Sequence, residues 1–354
     1  MKKILTVVGA RPQFIKASVM SRLIKNDYKN RFEEVLLHTG QHYDRKMSEV
    51  FFEELQIRPP DINLNIGSGP HGAMTGKMLE GIELVALKEQ PDGLLVYGDT
   101  NSTLAGALAA SKLHIPVFHV EAGLRSYNKQ MPEEQNRVLT DHLSSLLFCP
   151  TQRAEENLKQ ENISQGVFLS GDIMLDASMF YSQLAFSNSL NIPDEFVLIT
   201  IHRAENTDSL NRLTNIISAI NQADDLEFVL PLHPRTLKMI KKNNLSFKKH
   251  IHVIDPVGYL QMVYLESKCR YILTDSGGIQ KEAFFFRKPC ITMRDETEWV
   301  ETVDSGWNTL VGADKTRIKN ALRNVTTPRE YPKLYGDGHS GNNILEIMIR
   351  WMDS

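Results

Sequence analysis

Acidic side chains recur directly after short apolar runs of the sequence, in positions that suit general acid–base chemistry. Asp99 follows the run 94–97, Glu121 ends the run 116–120, and Glu133 comes shortly afterwards. Carboxylates held beside a bound ligand can take and return protons. A carboxylate at the end of an apolar strand also needs a partner, because burial of an unpaired charge is costly. We therefore regard the three residues as candidate acids and bases.

Each of these carboxylates also has a structural interpretation, which the residues alone leave open. Asp99 can be the N-cap of the helix that follows it. Glu121 can pair with Arg125, and Glu133 can form a surface salt bridge with Arg137 four residues later. Convergence favours chemistry, because Asp99, Glu121 and Glu133 can all face one cleft.

Cationic side chains and paired glycines indicate where an anion can bind. Arg11 and Lys16 follow the first apolar run. Ser276, Gly277 and Gly278 stand between a strand-like run and a helical segment, where bare backbone N–H groups can point at a phosphate. A glycine-rich turn with a capping Asp275 is the structural alternative. The sequence predicts a phosphate-bearing ligand.

Further polar residues follow other apolar runs of the second half. His202 and His233 each occur close to an arginine, Glu282 can accept hydrogen bonds from ribose hydroxyls, and Arg294 ends another run. A lone histidine is usually structural, but two at successive strand ends favour a ligand site.

Several classes of protein are disfavoured by what the sequence lacks. It has no Walker P-loop, no Rossmann glycine fingerprint after the first run, no nucleophile elbow and no zinc-protease sequence. No cofactor and no metal are therefore expected. With 40 Lys and Arg against 43 Asp and Glu, the net charge of −3 argues against nucleic acid and anionic membranes as partners.

The cysteines and the hydropathy pattern predict a cytoplasmic protein. Cys149, Cys269 and Cys290 have no paired spacing, which is typical of reduced thiols. The apolar run 4–10 is too short for a signal peptide, and no later run reaches the length of a membrane span, about 18 residues.

Apolar, β-branched runs alternate with helical patterns along most of the chain. Nearly continuous apolar runs are typical of parallel strands that helices cover on both faces. We expect strands at 3–8, 34–38, 94–97, 116–120, 146–149, 196–201, 227–230, 251–254, 271–274 and 289–293. This alternation predicts a doubly wound α/β fold, whose ligands lie beyond the carboxyl ends of the strands.

A length of 354 residues predicts about two domains, at roughly 150 residues per domain. The polar stretch 186–194 precedes a new strand and falls near the boundary. We place the domains at 1–170 and 171–340, with an amphipathic closing helix at about 341–354.

The sequence resembles the non-hydrolysing UDP-N-acetylglucosamine 2-epimerases in several ordered segments that cover most of the chain. These segments are 9–12 (GARP), 98–100 (GDT), 119–125 (HVEAGLR), 132–137 (PEEQNR), 202–203 (HR) and 275–278 (DSGG). The resemblance implies a glycosyltransferase-B-like fold, in which two Rossmann-like domains face one another across a cleft and the closing helix packs on the first. It also implies a homodimer.

The same resemblance assigns roles to individual residues. It implies that Asp99, Glu121, Glu133 and His202 are catalytic. The residues that would bind the UDP-sugar are Arg11, Lys16, Arg137, His233, Ser276, Gly277, Gly278, Glu282 and Arg294. The C2 proton of such a sugar is very weakly acidic, so we expect UDP to leave C1 and return after C2 has changed configuration.

Two segments depart from the regulated bacterial members that this sequence resembles. Asp44 stands where those members carry a glutamine of an allosteric site, and residues 67–72 lack an expected arginine. Both departures argue against allosteric activation. With residues 294–301, they resemble the branch that acts on UDP-2,3-diacetamido-2,3-dideoxyglucuronate, an O-antigen precursor.

Three other activities remain open at this point. A glycosyltransferase of the same architecture would also bind a UDP-sugar, a hydrolysing epimerase would release N-acetylmannosamine and UDP, and a nucleotide-sugar sensor would bind without turnover. The acids at strand ends argue against the sensor.

Overall fold

A computed structural model of the protein describes residues 1–40, 52, 55–185 and 190–354. The described chain divides into two compact units, which are described separately. Unit 1 comprises Met1–Met179 and Lys333–Ser354, and unit 2 comprises Phe180–Pro332. The divisions lie nine residues after and eight residues before the ones expected at 170 and 340.

Unit 1 alternates strands and helices from its first residues. Its elements up to the division are β1 (Lys2–Val8), α1 (Arg11–Asn26), β2 (Phe32–His38), β3 (Ile62–Asn63), α2 (His71–Glu89), β4 (Gly93–Tyr97), α3 (Asn101–Lys112), β5 (Val117–Val120), α4 (Pro132–Leu143), β6 (Leu146–Cys149), α5 (Gln152–Gln160), β7 (Val167–Leu169) and α6 (Ile173–Leu184), which continues into unit 2.

The strands of unit 1 form one parallel sheet. Among the described residues it has seven strands, in the order β3-β2-β1-β4-β5-β6-β7. Strand β4 is buried along its whole length and β1 from Ile4 to Val8, and most of these buried residues are apolar. The strand order reverses between β1 and β4, and ligands of doubly wound sheets bind beside such a reversal.

Unit 2 repeats the same architecture. Its elements are β8 (Val197–Thr200), α7 (Ala204–Thr207), α8 (Leu210–Asn221), β9 (Phe228–Pro231), α9 (Pro234–Lys242), β10 (Ile251–Ile254), α10 (Tyr259–Lys268), β11 (Ile272–Thr274), α11 (Gly277–Phe285), β12 (Cys290–Thr292), α12 (Val300–Asp304), β13 (Asn308–Leu310) and α13 (Lys315–Arg323). In the part of the chain that the structure describes, its parallel sheet has the order β10-β9-β8-β11-β12-β13. The order reverses between β8 and β11.

The doubly wound α/β fold class expected from the sequence is confirmed in both units. Every expected strand has an observed counterpart whose ends differ by two residues at most. The missed strands β3, β7 and β13 lie at the edges of the two sheets. These three strands have only two or three residues each, which is too short for the apolar run of a buried strand to be recognised.

The chain returns to unit 1 in its last helix, α14 (Ser340–Met352). The carboxylate of Asp176 accepts the backbone N–H groups of Ser340 at 3.1 Å and Gly341 at 2.8 Å. The N–H of Asp172 donates to the carbonyl of Tyr335 at 2.9 Å. These bonds place the segments around 172–176 and 335–341 together, which explains why unit 1 extends beyond the expected boundaries.

The three cysteines are buried thiols without disulfides. Burial raises the pKa of Cys149, Cys269 and Cys290, which keeps these thiols protonated. None of the described helices is long and apolar enough to cross a membrane.

Asp176 provides a test of how the last helix is attached to unit 1. We expect Asp176→Ala to lower the free energy of unfolding by about 2 kcal/mol, because it leaves two buried N–H groups of α14 without an acceptor. Asp176→Asn keeps one acceptor oxygen and should lose less. Chemical denaturation followed by circular dichroism measures both variants. An unchanged unfolding midpoint in Asp176→Ala would contradict this attachment.

Candidate active site

The carboxyl ends of three adjacent strands bring together the charged residues of unit 1. Strand β4 lies between β1 and β5 in the sheet, so the loops that follow these strands are neighbours. Lys16 lies on α1, Asp99 follows β4, and Glu121 follows β5. The residues that the sequence singled out are therefore close in space because they lie beside the reversal of strand order.

Gly98 is the backbone position that leaves room for this cluster. Its φ of +61° lies in the left-handed region. A Cβ atom on this residue would lie 3.2 Å from Glu121 Oε2 and 3.4 Å from Lys16 Nζ. Lys16 forms an ion pair with Glu121, and both side chains are largely buried. The absence of a side chain at Gly98 lets this ion pair lie directly against the β4 turn.

Glu121 itself adopts a conformation that non-glycine residues rarely take. Its φ is +71°. Its N–H donates to the carbonyl of Phe148 at 3.1 Å, which holds the left-handed backbone in place. Such strain is found where a fixed side-chain direction matters. The alternative partner, Arg125, is wrong, because Arg125 pairs with Asp141 and Glu161.

Asp99 forms an ion pair with Arg137, a residue of α4. Burial and the charge of Glu121 raise the pKa of Asp99, against the opposing effects of Arg137 and Lys16. A raised pKa makes this carboxyl group a better proton acceptor than an ordinary aspartate. Its interpretation as a helix cap is wrong, because Thr100 is the N-cap of α3 and accepts the N–H of Thr103.

Glu133 and Glu134 occupy different environments at the start of α4. Glu133 is exposed to solvent. Glu134 is buried and accepts the N–H of Ser126 at 2.9 Å and that of Tyr127 at 2.8 Å. Arg137 donates to Glu134 at 3.2 Å, so the expected Glu133–Arg137 salt bridge is wrong. Glu134 therefore holds the 126–127 loop against α4, while the carboxylate of Glu133 faces water.

Gln13 joins the two loops at the strand reversal of unit 1, a role that no sequence motif predicts. Its Oε1 accepts the N–H groups of Gly9 at 2.7 Å and Ala10 at 3.0 Å. Its Nε2 donates to the Tyr97 carbonyl at 2.7 Å and to Thr103 Oγ1 at 2.9 Å. Only its place in the first turn of a helix, beside an arginine and a proline, could have drawn attention to it. Arg11, on the same turn, is exposed.

Asp275 organises the corresponding reversal in unit 2. Its fully buried carboxylate accepts the N–H of His202 at 3.1 Å, the N–H of Arg203 at 3.1 Å and Asn206 Nδ2 at 3.2 Å. The capping role considered for Asp275 is wrong, because Ser276 is the N-cap of α11. Asp275 instead fixes the loop after β8 to the turn after β11.

The imidazole of His202 remains accessible, with 43% of its side chain exposed. Burial lowers its pKa, and the charges of Arg203 and His233 lower it further, against the opposing effect of Asp275. The ring is therefore neutral at pH 7. His233 is the N-cap of α9, where its Nδ1 accepts the N–H of Arg235 at 3.2 Å.

The first turn of α11 is surrounded by charged side chains. A Cβ on Gly277 would lie 2.6 Å from Glu298 Oε1, 3.3 Å from Arg203 Nη2 and 3.6 Å from Arg294 Nη1. Arg294 Nη1 also donates to Glu298 Oε2 at 2.9 Å. A helix N-terminus with two arginines attracts an anion. In this structure the carboxylate of Glu298 lies beside that position.

The neighbouring residues of α11 hold the surrounding loop in place. Gln280 Oε1 accepts Thr297 Oγ1 at 2.7 Å. Lys281 Nζ lies 4.0 Å from the centre of the Trp299 ring, a cation–π contact between two buried side chains. Glu282 is also buried and accepts the hydroxyl of Tyr259 at 3.3 Å. Gly278 is exposed.

The structure thus forms two clusters, one at each strand reversal. Unit 1 gathers Lys16, Asp99, Glu121 and Arg137, whereas Glu133 and Arg11 are exposed at the first turns of their helices. Unit 2 gathers His202 and Arg294 around the turn 276–278. Residue 44 lies outside the described residues. No group of metal-binding side chains occurs in the described ranges.

Comparisons with known proteins identify similar sequences. The sequence model of a family described as UDP-N-acetylglucosamine 2-epimerase matches residues 25–349. The chain is 53% identical to the UDP-2,3-diacetamido-2,3-dideoxy-D-glucuronate 2-epimerase of Pseudomonas aeruginosa, over 98% of this chain and 99% of that protein. It is 46% identical to the UDP-N-acetylglucosamine 2-epimerase of Methanocaldococcus jannaschii, over 98% of each chain.

The fold is similar to that of a solved epimerase. The crystal structure of the Methanocaldococcus jannaschii UDP-GlcNAc 2-epimerase, in complex with UDP-GlcNAc and UDP, has a TM-score of 0.86 and 44% sequence identity. The match covers 98% of this chain and 99% of that one. The glycosyltransferase-B-like fold expected from the sequence is thereby confirmed. The cleft between the two domains stays a prediction.

Gly98 and Gly76 form a matched pair of glycines for testing the unit 1 cluster. We expect Gly98→Ala to lower the free energy of unfolding by about 2 kcal/mol, because alanine resists a φ of +61° and contacts the Lys16–Glu121 pair. Gly76 lies within helix α2 with nothing near its Cβ position. Gly76→Ala should therefore stabilise the protein by up to about 1 kcal/mol. Denaturant unfolding of both variants is the measurement, and equal effects would contradict the role of Gly98.

Proposed function

The chain belongs to the UDP-N-acetylglucosamine 2-epimerase family, and from this premise we propose that it inverts C2 of a UDP-2-acetamido sugar without net hydrolysis. The protein is an isomerase. Asp99 and Glu121 carry the proposal, because two carboxylates flank Gly98 at a strand reversal and each is paired with a cation.

The weak acidity of the C2 proton determines the order of events. No carbonyl group lies next to C2, so direct removal of the proton would face a high barrier. Breakage of the bond between C1 and the UDP oxygen gives C1 oxocarbenium character, which acidifies the C2–H bond. Loss of the proton then leaves a C1=C2 double bond, a 2-acetamidoglucal, and free UDP. Re-addition of UDP to C1 and of a proton to the other face of C2 completes the inversion.

In this proposal the residues of unit 2 hold the leaving group. The N–H groups at the start of α11 and the guanidinium groups of Arg203 and Arg294 stabilise the negative charge that develops on the departing pyrophosphate. His202 has a lowered pKa and is neutral at pH 7, so it can donate a hydrogen bond to the leaving group as an uncharged ring. The buried carboxylate of Glu282 accepts hydroxyls of the ribose.

The residues of unit 1 act on the sugar ring. Asp99 and Glu121 exchange the C2 proton, one as the base and the other as the acid on the opposite face. Their environments differ, since Asp99 pairs with Arg137 and has a raised pKa while Glu121 pairs with Lys16. Groups in different environments suit opposite roles in one reaction. Glu133, on the first turn of α4, remains a further candidate.

We infer that the substrate is UDP-2,3-diacetamido-2,3-dideoxyglucuronate and that the product serves O-antigen synthesis. The similarity to the Pseudomonas aeruginosa enzyme supports this choice. So does the segment 294–301, which contributes Arg294, Glu298 and the Trp299 ring beneath Lys281. We place the reaction in the cytoplasm. Without the glutamine and arginine of regulated members, the enzyme needs no second UDP-sugar as an activator.

A homodimer is part of the same proposal. Helix α2 exposes the apolar side chains of Leu84 and Leu87, three residues apart on one face. A helix face with two exposed leucines suits burial against a second copy of the chain. Light scattering coupled to gel filtration distinguishes the dimer from the monomer.

Turnover in D2O tests the proposed activity. The protein is incubated with UDP-2,3-diacetamido-2,3-dideoxyglucuronate or with UDP-N-acetylglucosamine, and the sugar is followed by NMR. We expect two C2 epimers at equilibrium, deuterium at C2 and no net release of UDP. Acceptor-dependent release of UDP would instead indicate a glycosyltransferase, release of a free sugar a hydrolysing epimerase, and binding without change a sensor. The substrate that turns over faster identifies the branch.

Glu121 and Glu133 provide a matched pair for testing the acid–base assignment. We expect Glu121→Gln to lower kcat by roughly a hundredfold or more, because the amide cannot exchange the C2 proton. The Kd of UDP should stay within a few-fold, since UDP is assigned to unit 2. Glu133→Gln, at an exposed position, is compared under the same conditions. Near-normal kcat in Glu121→Gln would refute the assignment of this residue.

Glu298 generates a prediction about the affinity for UDP. Its carboxylate lies beside the anion position at Gly277, where a pyrophosphate would meet a like charge. We expect Glu298→Gln to bind UDP roughly three- to tenfold more tightly, with a hydrogen bond to Arg294 retained. Glu296→Gln, an exposed change in the same loop, should have little effect. Isothermal titration calorimetry measures the Kd of UDP for both variants. Weaker binding by Glu298→Gln would contradict the repulsion between Glu298 and the pyrophosphate.

A further inference from the structure

His119 is a fully buried histidine of β5 that the proposed mechanism does not use. Both of its ring nitrogens have close partners. Nδ1 lies 2.7 Å from Asp141 Oδ1, and Nε2 lies 2.8 Å from the carbonyl oxygen of Gly98. Glu121 follows it by two residues, and Asp99 follows the Gly98 carbonyl. The ring therefore contacts the backbone directly before Asp99 and lies on the strand that leads to Glu121.

The partners of His119 decide which of its nitrogens carry protons. A carbonyl oxygen only accepts hydrogen bonds, so Nε2 must carry a proton at 2.8 Å. Asp141 Oδ2 accepts Arg125 Nη1 at 2.7 Å and the N–H of Gly123 at 3.1 Å. With two N–H donors already on Oδ2, one of them the guanidinium of Arg125, Asp141 is an ionised acceptor. Its Oδ1 therefore accepts from the ring, so Nδ1 must carry a proton too.

We propose that His119 donates a hydrogen bond from each ring nitrogen and thereby fixes the positions of Asp99 and Glu121 relative to each other. It is a positioning residue, because it does not contact the reacting atoms in the proposed mechanism. The expected effect of His119 on catalysis rests on the proposed function. The protonation state of His119 does not depend on that function.

The surrounding charges support the imidazolium. Arg125 bonds Asp141 through Nη1, and its Nε and Nη2 donate to Glu161 at 2.7 Å each. The row His119, Asp141, Arg125 and Glu161 therefore alternates in sign and is neutral overall. With a neutral His119 the row would carry a surplus negative charge, which is costly in a buried place. The nearby thiol of Cys149, whose pKa is raised mainly by burial, adds no charge.

The ring of His119 binds the C=O of Gly98, and the N–H of the same residue is bound as well. The N–H of Gly98 donates to the Val120 carbonyl at 3.0 Å, and its C=O accepts from His119 Nε2 at 2.8 Å. Residues 119 and 120 of β5 therefore form hydrogen bonds with both sides of the turn that follows β4, immediately before Glu121. Without the Nε2 proton, the Gly98 carbonyl could turn away and move Asp99. Displacements of about 1 Å at reacting groups cost roughly a hundredfold in rate.

Nitrogen NMR of the intact protein tests the protonation state directly. With ¹⁵N-labelled histidine, we expect both ring nitrogens of His119 to give the chemical shifts of protonated nitrogens at pH 7. A neutral imidazole has one protonated and one unprotonated nitrogen, with widely separated shifts, and serves as the reference. An unprotonated nitrogen in the His119 ring would overturn the proposal, whatever the activity of the enzyme.

His119→Gln tests the positioning role. Glutamine can donate to Gly98 or to Asp141 but not to both, so we expect kcat to fall roughly a hundredfold while the Kd of UDP stays within a few-fold. The matched control is His252→Gln, which changes an exposed histidine paired with Glu227 and should keep normal kcat. A near-normal kcat in a folded His119→Gln variant would overturn the positioning role. If the variant fails to fold, the NMR result alone tests the inference. An inactive wild-type protein would refute the proposed function but not the protonation state of His119.

Discussion

Two carboxylates with like charge lie close to one glycine in unit 1, and most features of that unit follow from this constraint. Asp99 and Glu121 repel each other, and the charge of Glu121 contributes to the raised pKa of Asp99. Each carboxylate therefore has its own cation, Arg137 or Lys16. The Lys16–Glu121 pair needs room beside the backbone, which is available because residue 98 has no side chain. The left-handed backbone of Glu121 and the buried ring of His119 then hold the arrangement in place.

Unit 2 has the same kind of reversal in its strand order but a different arrangement of charges beside it. A fully buried Asp275 accepts three N–H groups and thereby fixes the loop of His202 to the turn before α11. Two arginines and the helix N-terminus gather around Gly277, with Glu298 as the counter-charge. One unit thus concentrates carboxylates beside a strand reversal, and the other concentrates hydrogen-bond donors and cations there. The proposed elimination and re-addition of UDP requires both.

The sequence predicted the strands, the fold class and the strand ends that carry the polar residues, because buried parallel strands are continuously apolar. It could not predict which charges pair. Arg125 was a reasonable partner for Glu121 by proximity in sequence, but the chain turns it towards Asp141, sixteen residues further on. Gln13 and His119 were missed as positioning residues since a single buried polar side chain has no periodic signal. The edge strand β3 is two residues long, too short for any pattern.

Inversion at C2 is proposed to require breakage of the bond between C1 and the UDP oxygen. The decisive measurement uses substrate labelled with ¹⁸O in the bridge between C1 and the β-phosphorus, with ³¹P NMR following the label. We expect the label to move from the bridge to the other oxygens of the β-phosphate as the C2 epimer forms. Inversion at C2 with the label retained entirely in the bridge would contradict it.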